Sequence, residues 1–124
     1  MGSIVNLEEP DYWKALINMS LSRFFILRTL HEGPTHGYAL LEDLKVFTQG
    51  CCTPAYGTIY PILKELLEGE YAIVRSESES GRQRKVYELT PRGESAYQQA
   101  VLTWQEVLPY IERAVLESKE ITHD

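Results

Sequence analysis

The spacing of apolar residues along the first part of the chain predicts two consecutive helices. Pro10 begins one pattern, which covers residues 10–19, and a second pattern covers residues 20–31 with apolar positions three and four apart. Proline suits the first turn of a helix, and the glycine–proline pair at 33–34 predicts the end of the second one. The chain is therefore expected to begin with two short helices.

Two more helices are predicted between residues 35 and 68, each with a threonine as its N-cap. Thr35 precedes a pattern over residues 36–47, and Thr58 precedes a pattern over residues 59–68. Pro61 is then the third helical residue, where its missing N–H costs no hydrogen bond. The predicted inward-facing residues are Leu40, Leu41, Leu44, Ile59, Ile62, Leu63, Leu66 and Leu67.

Two β-like runs follow, at residues 71–75 and 86–90, and they predict a hairpin. The polar stretch between them, residues 76–84, predicts a long, mobile loop at the hairpin tip. Helices followed by a β-hairpin are the outline of a winged helix-turn-helix. The predicted fold class is mainly α with a small β-hairpin.

The last part of the chain predicts one long helix, with Thr90 as its cap and Pro91 at its first position. Its apolar residues alternate in steps of four and three, which is the a/d seam of a coiled coil. A small domain has little left to cover such a seam, so a second copy is the expected partner, and Pro109 is expected to bend the helix. The seam residues are Tyr97, Val101, Trp104, Leu108, Ile111 and Val115.

Composition narrows the class of protein. The 124 residues are 44% hydrophobic, which suits one globular domain, and no apolar run approaches the length of a membrane span. The adjacent Cys51 and Cys52 cannot form an ordinary structural disulfide with each other, which favours a reduced, cytoplasmic setting. No nucleophile elbow, phosphate loop or metal-ligand pair is present, so no catalytic site, metal, cofactor or membrane partner is expected.

Charge is distributed unevenly along the chain. The net charge of −6 argues weakly against nucleic acid, but residues 75–92 carry five basic and three acidic side chains. Residues 94–124 carry two basic and six acidic ones. The hairpin tip holds Arg82, Arg84 and Lys85, which are suited to DNA phosphates or a minor groove. The alternative interpretation is a solvated basic turn.

The start of the helix predicted at residues 59–68 is the candidate for reading DNA. Its small and polar groups allow the backbone to approach phosphate and offer hydroxyl and ammonium donors. The alternative is that Tyr60 and Pro61 only pack this helix against its neighbour. The candidate residues are Tyr56, Gly57, Thr58, Tyr60 and Lys64.

Four ordered motifs, at residues 34–38 (PTHGY), 56–63 (YGTIYPIL), 81–87 (GRQRKVY) and 89–93 (LTPRG), together resemble the signature of the PadR family of transcriptional regulators. The resemblance implies a winged helix-turn-helix DNA-binding domain at residues 10–90 and a dimerisation helix at 91–119, as in the family's shorter subgroup. It also implies repression that a small molecule relieves. It adds Tyr38 to the DNA-binding residues predicted above. Glu70 and the Cys51–Cys52 pair depart from the family pattern.

Two further features keep two interpretations each. Cys51 and Cys52 are either a sensor of soft metal or oxidant, or small residues of a loop. Trp13 and Trp104 either sandwich a planar effector or anchor the core. The predicted function is a homodimeric repressor on a palindromic operator, and the alternative is a winged helix that binds protein and not DNA.

Overall fold

A computed structural model describes residues 5–51, 54 and 56–118. The chain forms α1 (Pro10–Glu32), β1 (Thr35–His36), α2 (Gly37–Thr48), α3 (Tyr56–Glu68), β2 (Ala72–Glu79), β3 (Arg82–Leu89) and α4 (Pro91–Glu117). The three strands form one antiparallel sheet in the order β1-β3-β2. The predicted fold class is confirmed, with β1 as an addition. None of the described helices has the length and apolar content needed to span a bilayer.

The first two predicted helices are one continuous helix, so the predicted break near residue 20 is wrong. No glycine or proline stands at that position, and the hydroxyl of Ser20 donates to the carbonyl of Ile17 inside the helix. The helix ends after Glu32, where the N–H of Gly33 donates to the carbonyl of Leu30. α1 is therefore a single long helix that contacts α2, α3 and α4.

Both predicted threonine caps in this region are wrong. Thr35 lies in β1 opposite Tyr87, so α2 begins at Gly37 after an N-cap, His36, that makes no side-chain cap bond. Thr58 lies inside α3, which begins two residues earlier at Tyr56. Pro61 is consequently an interior residue of α3, and the helix loses the hydrogen bond that a different residue would donate one turn back.

The core is formed by one face from each of α1, α2 and α3 against the sheet. The predicted inward positions of α2 and α3 are confirmed: Leu40, Leu44, Ile59, Ile62, Leu63 and Leu66 are buried, and Leu41 and Leu67 pack against them. Each side chain buried in this way contributes roughly 1.5–3 kcal/mol of transfer free energy. This packing fixes α3 across the base of the hairpin. The core also takes Ile26, Leu27, Leu30, Ala72 and Tyr87.

The hairpin, called the wing below, is a tight ladder, and the predicted long loop at its tip is wrong. Pairing runs from Ala72 opposite Leu89 to Glu79 opposite Arg82, which leaves only Ser80 and Gly81 for the turn. Both turn residues have positive φ (53° and 80°), as the two-residue turns that match strand twist require. The basic residues of the wing therefore lie on a paired strand.

The C-terminal helix begins as predicted. The hydroxyl of Thr90 accepts a hydrogen bond from the N–H of Gly93 at 3.1 Å, and Pro91 is the first helical residue. The expectation that this domain cannot cover the seam is wrong for its first half, because Phe24 of α1 stacks on both Tyr97 and Trp104. The second half of the seam is uncovered. Lys119, the predicted last residue of the helix, lies outside the described residues.

Candidate nucleic-acid interface

A cleft of about 470 Å³ lies where the start of α2, the exposed side of α3 and the wing meet. It exists because β1 is only two residues long, so the outer part of β3 has no strand beside it on that side. The cleft is lined by His36, Gly37, Tyr38, Ala39, Tyr60, Arg82, Gln83, Arg84, Lys85 and Tyr87. Five of the predicted DNA-binding residues, namely Tyr38, Tyr60, Arg82, Arg84 and Lys85, thus share one concave surface.

The start of α2 forms one wall of this cleft. Tyr38 projects from it with 74% of its surface exposed. The neighbouring Gly37 lies so close to Tyr60 that a Cβ added there would be 3.3 Å from the phenol oxygen. Glycine at position 37 therefore lets α2 and α3 approach each other. The ring nitrogen Nδ1 of His36 is buried and has no hydrogen-bond partner among the described residues.

α3 contributes Tyr60 to the lining of the cleft, whereas the predicted DNA-binding residues Gly57, Thr58 and Lys64 do not line it. Gly57, Tyr60 and Lys64 follow one another at steps of three and four, so they lie along one side of the helix, and all three are exposed. A Cβ at Gly57 would meet nothing within 4 Å, which leaves the backbone there open to a ligand. Thr58 is half-buried, and the side chain of Tyr56 lies outside the described residues. The ammonium group of Lys64 is 3.8 Å from Glu68.

Tyr87 stands at the bottom of the cleft, buried on the central strand. Burial raises the pKa of its phenol above the ordinary value, and the nearby Tyr60 raises it further. A neutral phenol under a basic surface adds no negative charge that would repel phosphate. Tyr60 is 42% exposed and lies near Gly37 and Tyr87, so it packs between α2 and the sheet while its exposed part lines the cleft. Its contact with DNA stays a prediction.

The wing has two faces with different charge, because directly paired residues on antiparallel strands project to the same side. The arginine face carries Arg82 and Arg84 of β3, together with Arg75 and Glu77 of β2 and Glu88 near the base. Arg75 bonds both Glu88 and Glu77, and these carboxylates raise the pKa of its guanidinium above the usual range.

The opposite face of the wing, the lysine face, carries no carboxylate between its tip and Tyr87 among the described residues. Gln83 lies opposite Ser78, and Lys85 lies opposite Ser76. Small hydroxyl side chains leave the ammonium group of Lys85 accessible to solvent, and the residue is exposed. This difference between the faces depends on strand register, which the sequence prediction of a loop did not provide.

One contact joins α3 to α1, and no local pattern in the chain predicts it. The guanidinium of Arg23 donates twice to the carboxylate of Glu65, at 2.6 and 2.8 Å. This hydrogen-bonded pair lowers the pKa of Glu65 and raises that of Arg23. The two residues are 42 positions apart, so only the folded chain brings them together. Neither residue lines the cleft, so this bidentate pair restrains α3 from outside it.

The predicted seam residues divide into two groups. Tyr97, Val101 and Trp104 are half-buried, while Leu108, Ile111 and Val115 are 52%, 45% and 65% exposed. Trp13 bonds the carbonyl of Leu7 and packs edge-on against Tyr12. Phe24, which stacks on Trp104, is 11 residues further along α1, or about 16 Å. Trp13 and Trp104 therefore do not stack on each other within one chain.

Cys51 is exposed directly after α2, and its N–H donates to the carbonyl of Thr48. Cys52 lies outside the described residues. Within the part of the chain that the structure describes, no group of three or more histidine, cysteine or acidic side chains could hold a metal ion. The described residues thus give the thiol hypothesis one exposed cysteine, Cys51.

The comparisons with known proteins all point to one family. The profile of the transcriptional regulator PadR-like family matches residues 26–99, which is more than half of the chain. The transcriptional regulator YqjI of Escherichia coli is 39% identical over 71 residues, covering 57% of this chain and 33% of that protein. This chain therefore spans about a third of the length of that relative.

Solved structures share the fold. A transcriptional regulator from Clostridium thermocellum matches with a TM-score of 0.71 at 20% identity, over 89% of this chain and 97% of that one. Bacillus subtilis PadR, solved in complex with operator DNA, matches with a TM-score of 0.60 at 23% identity, over 65% of this chain and 46% of that one.

Proposed function

The chain belongs to the PadR-like family of transcriptional regulators and is not an enzyme, and on this premise we propose that it is a cytoplasmic repressor that binds double-stranded operator DNA as a homodimer. The N-terminal part of α3 enters the major groove, and the wing contacts the flanking groove. The DNA-binding unit is residues 10–90, and the dimerisation helix is residues 91–119. A similar fold in complex with operator DNA supports this arrangement.

The observation that carries the proposal is the composition of the cleft. Hydroxyl donors from Tyr38 and Tyr60 converge there with Arg82, Arg84 and Lys85 of the wing. Phosphate oxygens accept from tyrosine hydroxyls and from guanidinium and ammonium groups. The chain as a whole carries −6, so this concentration of cations on one concave surface selects where a polyanion binds.

The dimer rests on the second half of α4. Leu108, Ile111 and Val115 are spaced as a seam and are largely exposed in the single chain. Burial of that seam against its copy removes apolar surface from water and places two α3 helices on one DNA molecule. A two-fold symmetric protein matches a palindromic operator, which is the reason for expecting one.

Release from the operator is proposed to follow from a small-molecule effector near the seam. Trp104 is half-buried beside Phe24, so its ring offers an aromatic surface at the edge of the proposed interface. Trp13 is 51% exposed and lies about 16 Å along α1 from Phe24, the residue that stacks on Trp104. The second tryptophan of an effector sandwich would therefore have to come from the other copy. The alternative trigger is thiol chemistry at Cys51 and Cys52, ahead of α3.

A footprint of the purified protein on the DNA upstream of its own gene tests the proposal. The proposal predicts protection of two half-sites whose centres are about 10 base pairs, or a multiple of that distance, apart. The competing function, a winged helix that binds protein, has the net charge of −6 in its favour. A protein of that kind protects no site at concentrations that saturate a control repressor.

A further inference from the structure

The turn that follows α3 is bonded to the first residues of α4. The N–H of Thr90 donates to the carbonyl of Tyr71 at 3.0 Å, and the hydroxyl of Thr90 donates to the carbonyl of Glu70 at 2.7 Å. Residues 69–71 and 90–93 are called the joint below. The joint connects the helix proposed to read DNA directly to the helix proposed to carry the dimer seam.

The side chain of Arg92 adds a clamp across this joint. One terminal nitrogen of its guanidinium donates to the carbonyl of Gly69 at 2.8 Å, and the other donates to the phenol oxygen of Tyr71 at 3.1 Å. The guanidinium carbon also lies 4.4 Å from the centroid of the Tyr71 ring. Glycine at position 69 leaves room for that ring, because a Cβ there would be 2.5 Å from it.

The backbone of the turn has a conformation that needs support from outside it. Glu70 has a φ of 63°, in the left-handed region that is unfavourable for residues other than glycine. Three consecutive carbonyls, at residues 69, 70 and 71, accept hydrogen bonds from Arg92 and Thr90. The start of α4 thus stabilises a turn that the residue at position 70 disfavours.

We propose that Arg92 is a positioning residue for operator binding. By holding α4 against the turn after α3, it fixes the distance and angle at which the two α3 helices of a dimer meet the two half-sites. The inference rests on the proposed function, in which α4 joins the copies and α3 enters the groove. A small change in geometry matters, because each base pair adds about 3.4 Å and about 35° of rotation between half-sites. A joint that is ordered before binding also avoids the cost of ordering it on DNA.

Arg92 is suited to a test because its role in positioning can be separated from a role in the cleft. It is exposed, and it is not among the residues that line the cleft. The connection from α4 to α3 through α1, where Phe24 stacks on Trp104 and Arg23 bonds Glu65, stays in place when Arg92 is changed. A change at Arg92 therefore loosens the joint and leaves the other attachment of α4 intact.

The test measures binding to three duplexes. The first is the duplex protected in the footprint, the second is the same duplex with two base pairs inserted between its half-sites, and the third is an unrelated sequence. Arg92→Lys keeps the positive charge, but a single ammonium group lacks the planar fork that bonds two acceptors and stacks on a ring. Tyr71→Phe removes only the hydroxyl that Arg92 bonds.

The matched control is Arg113→Lys, which is the same substitution near the far end of α4. Arg113 bonds Glu117 of its own helix, one turn away, and takes no part in the joint. Thermal unfolding and sedimentation velocity establish for each variant whether it is folded and dimeric.

For Arg92→Lys, we expect roughly 2- to 10-fold weaker binding to the footprinted duplex, because one or two hydrogen bonds of the joint are lost. Binding to the unrelated duplex should stay unchanged, since it depends on charge, which lysine keeps. Binding to the lengthened duplex should also stay unchanged, so the preference for the natural spacing should fall by the same factor. Tyr71→Phe should show a smaller change in the same direction, and Arg113→Lys should show none.

Two results would overturn the inference while wild-type protein still binds DNA as proposed. One is a folded, dimeric Arg92→Lys variant that binds the footprinted duplex as tightly as the wild type. The other is a loss of equal size on all three duplexes, which would indicate a direct phosphate contact or a general loss of structure. If Arg92→Lys does not fold, the same comparison on Tyr71→Phe decides. A wild-type protein that binds none of the duplexes would overturn the proposed function, and the inference with it.

Discussion

The ring of Phe24 in α1 stacks on the ring of Trp104 in α4, with centroids 6.1 Å apart and planes inclined by 20°. The preceding residue, Arg23, holds Glu65 of α3 through two hydrogen bonds. Neighbouring residues of α1 thus contact both the helix that carries the seam and the helix proposed to read DNA. A displacement of Trp104 would therefore act on Phe24, and the adjacent Arg23 would pass it to α3 through Glu65.

The arginines of the wing should contribute to DNA affinity and not to the stability of the fold. Replacing Arg82 and Arg84 together by alanine is expected to weaken DNA binding and to flatten its dependence on salt, because fewer phosphates are neutralised. Both residues are exposed, so the free energy of unfolding should change by less than about 0.5 kcal/mol per substitution. Binding titrations at several salt concentrations measure the first effect, and denaturant unfolding measures the second. Wild-type affinity at every salt concentration would exclude the wing from the interface.

Two glycines should respond in opposite ways to alanine. A Cβ at Gly93 would be 2.0 Å from the carbonyl oxygen of Tyr71, so Gly93→Ala forces the start of α4 away from the sheet. The expected loss of stability is at least about 1–3 kcal/mol. Gly57→Ala meets nothing within 4 Å and lies in α3, so stability should rise by roughly 0.5–1 kcal/mol while DNA binding weakens. Thermal unfolding of both variants checks the contrast, and equal melting shifts would contradict it.

A charge introduced into the seam of α4 should prevent dimerisation. Leu108→Asp places a carboxylate where the second copy is proposed to pack, and burying it without a partner costs several kcal/mol. Because Leu108 is 52% exposed in the single chain, the variant should stay folded as a monomer and lose operator binding. Sedimentation velocity together with circular dichroism separates the two effects. A folded dimer in this variant would place the interface elsewhere.

Tyr87 should make the fold sensitive to alkaline pH. Burial, and then the proximity of Tyr60, raise its pKa above the ordinary value near 10. The folded state therefore holds this proton more tightly than the unfolded state does. The stabilisation is complete below about pH 10 and is lost as the pH rises through the folded-state pKa. In Tyr87→Phe, the free energy of unfolding should fall less steeply above pH 10 than in the wild type, and identical slopes would refute this assignment.

Local patterns predicted the elements that depend on local physics. The core faces of α2 and α3 follow from apolar spacing, and the cap at Thr90 follows from a threonine–proline pair that the structure confirms. The error at Thr35 has a non-local cause. Thr35 became a strand residue because Tyr87, 52 positions later, offers it a partner, and no local pattern encodes that pairing.

In the candidate site, too, local patterns predicted some features, and others depend on contacts between distant parts of the chain. Part of the cleft was predictable from motif and composition, since Tyr38, Tyr60 and the wing cations line it, whereas the predicted Gly57, Thr58 and Lys64 do not. The opposition of Glu77 and Arg84 was not predictable, because it requires the hairpin register, and register depends on the two-residue turn at Ser80 and Gly81. The register determines the charge of each face of the wing.

The central claim, that this surface binds DNA, is tested most directly by the salt dependence of binding to a random duplex. We expect measurable binding at low salt. The logarithm of the association constant should fall linearly with the logarithm of salt concentration, with a slope that corresponds to several neutralised phosphates. Replacing Arg82, Arg84 and Lys85 by alanine should reduce that slope. A protein that binds neither duplex nor heparin at low salt would contradict the account and favour a winged helix that binds protein.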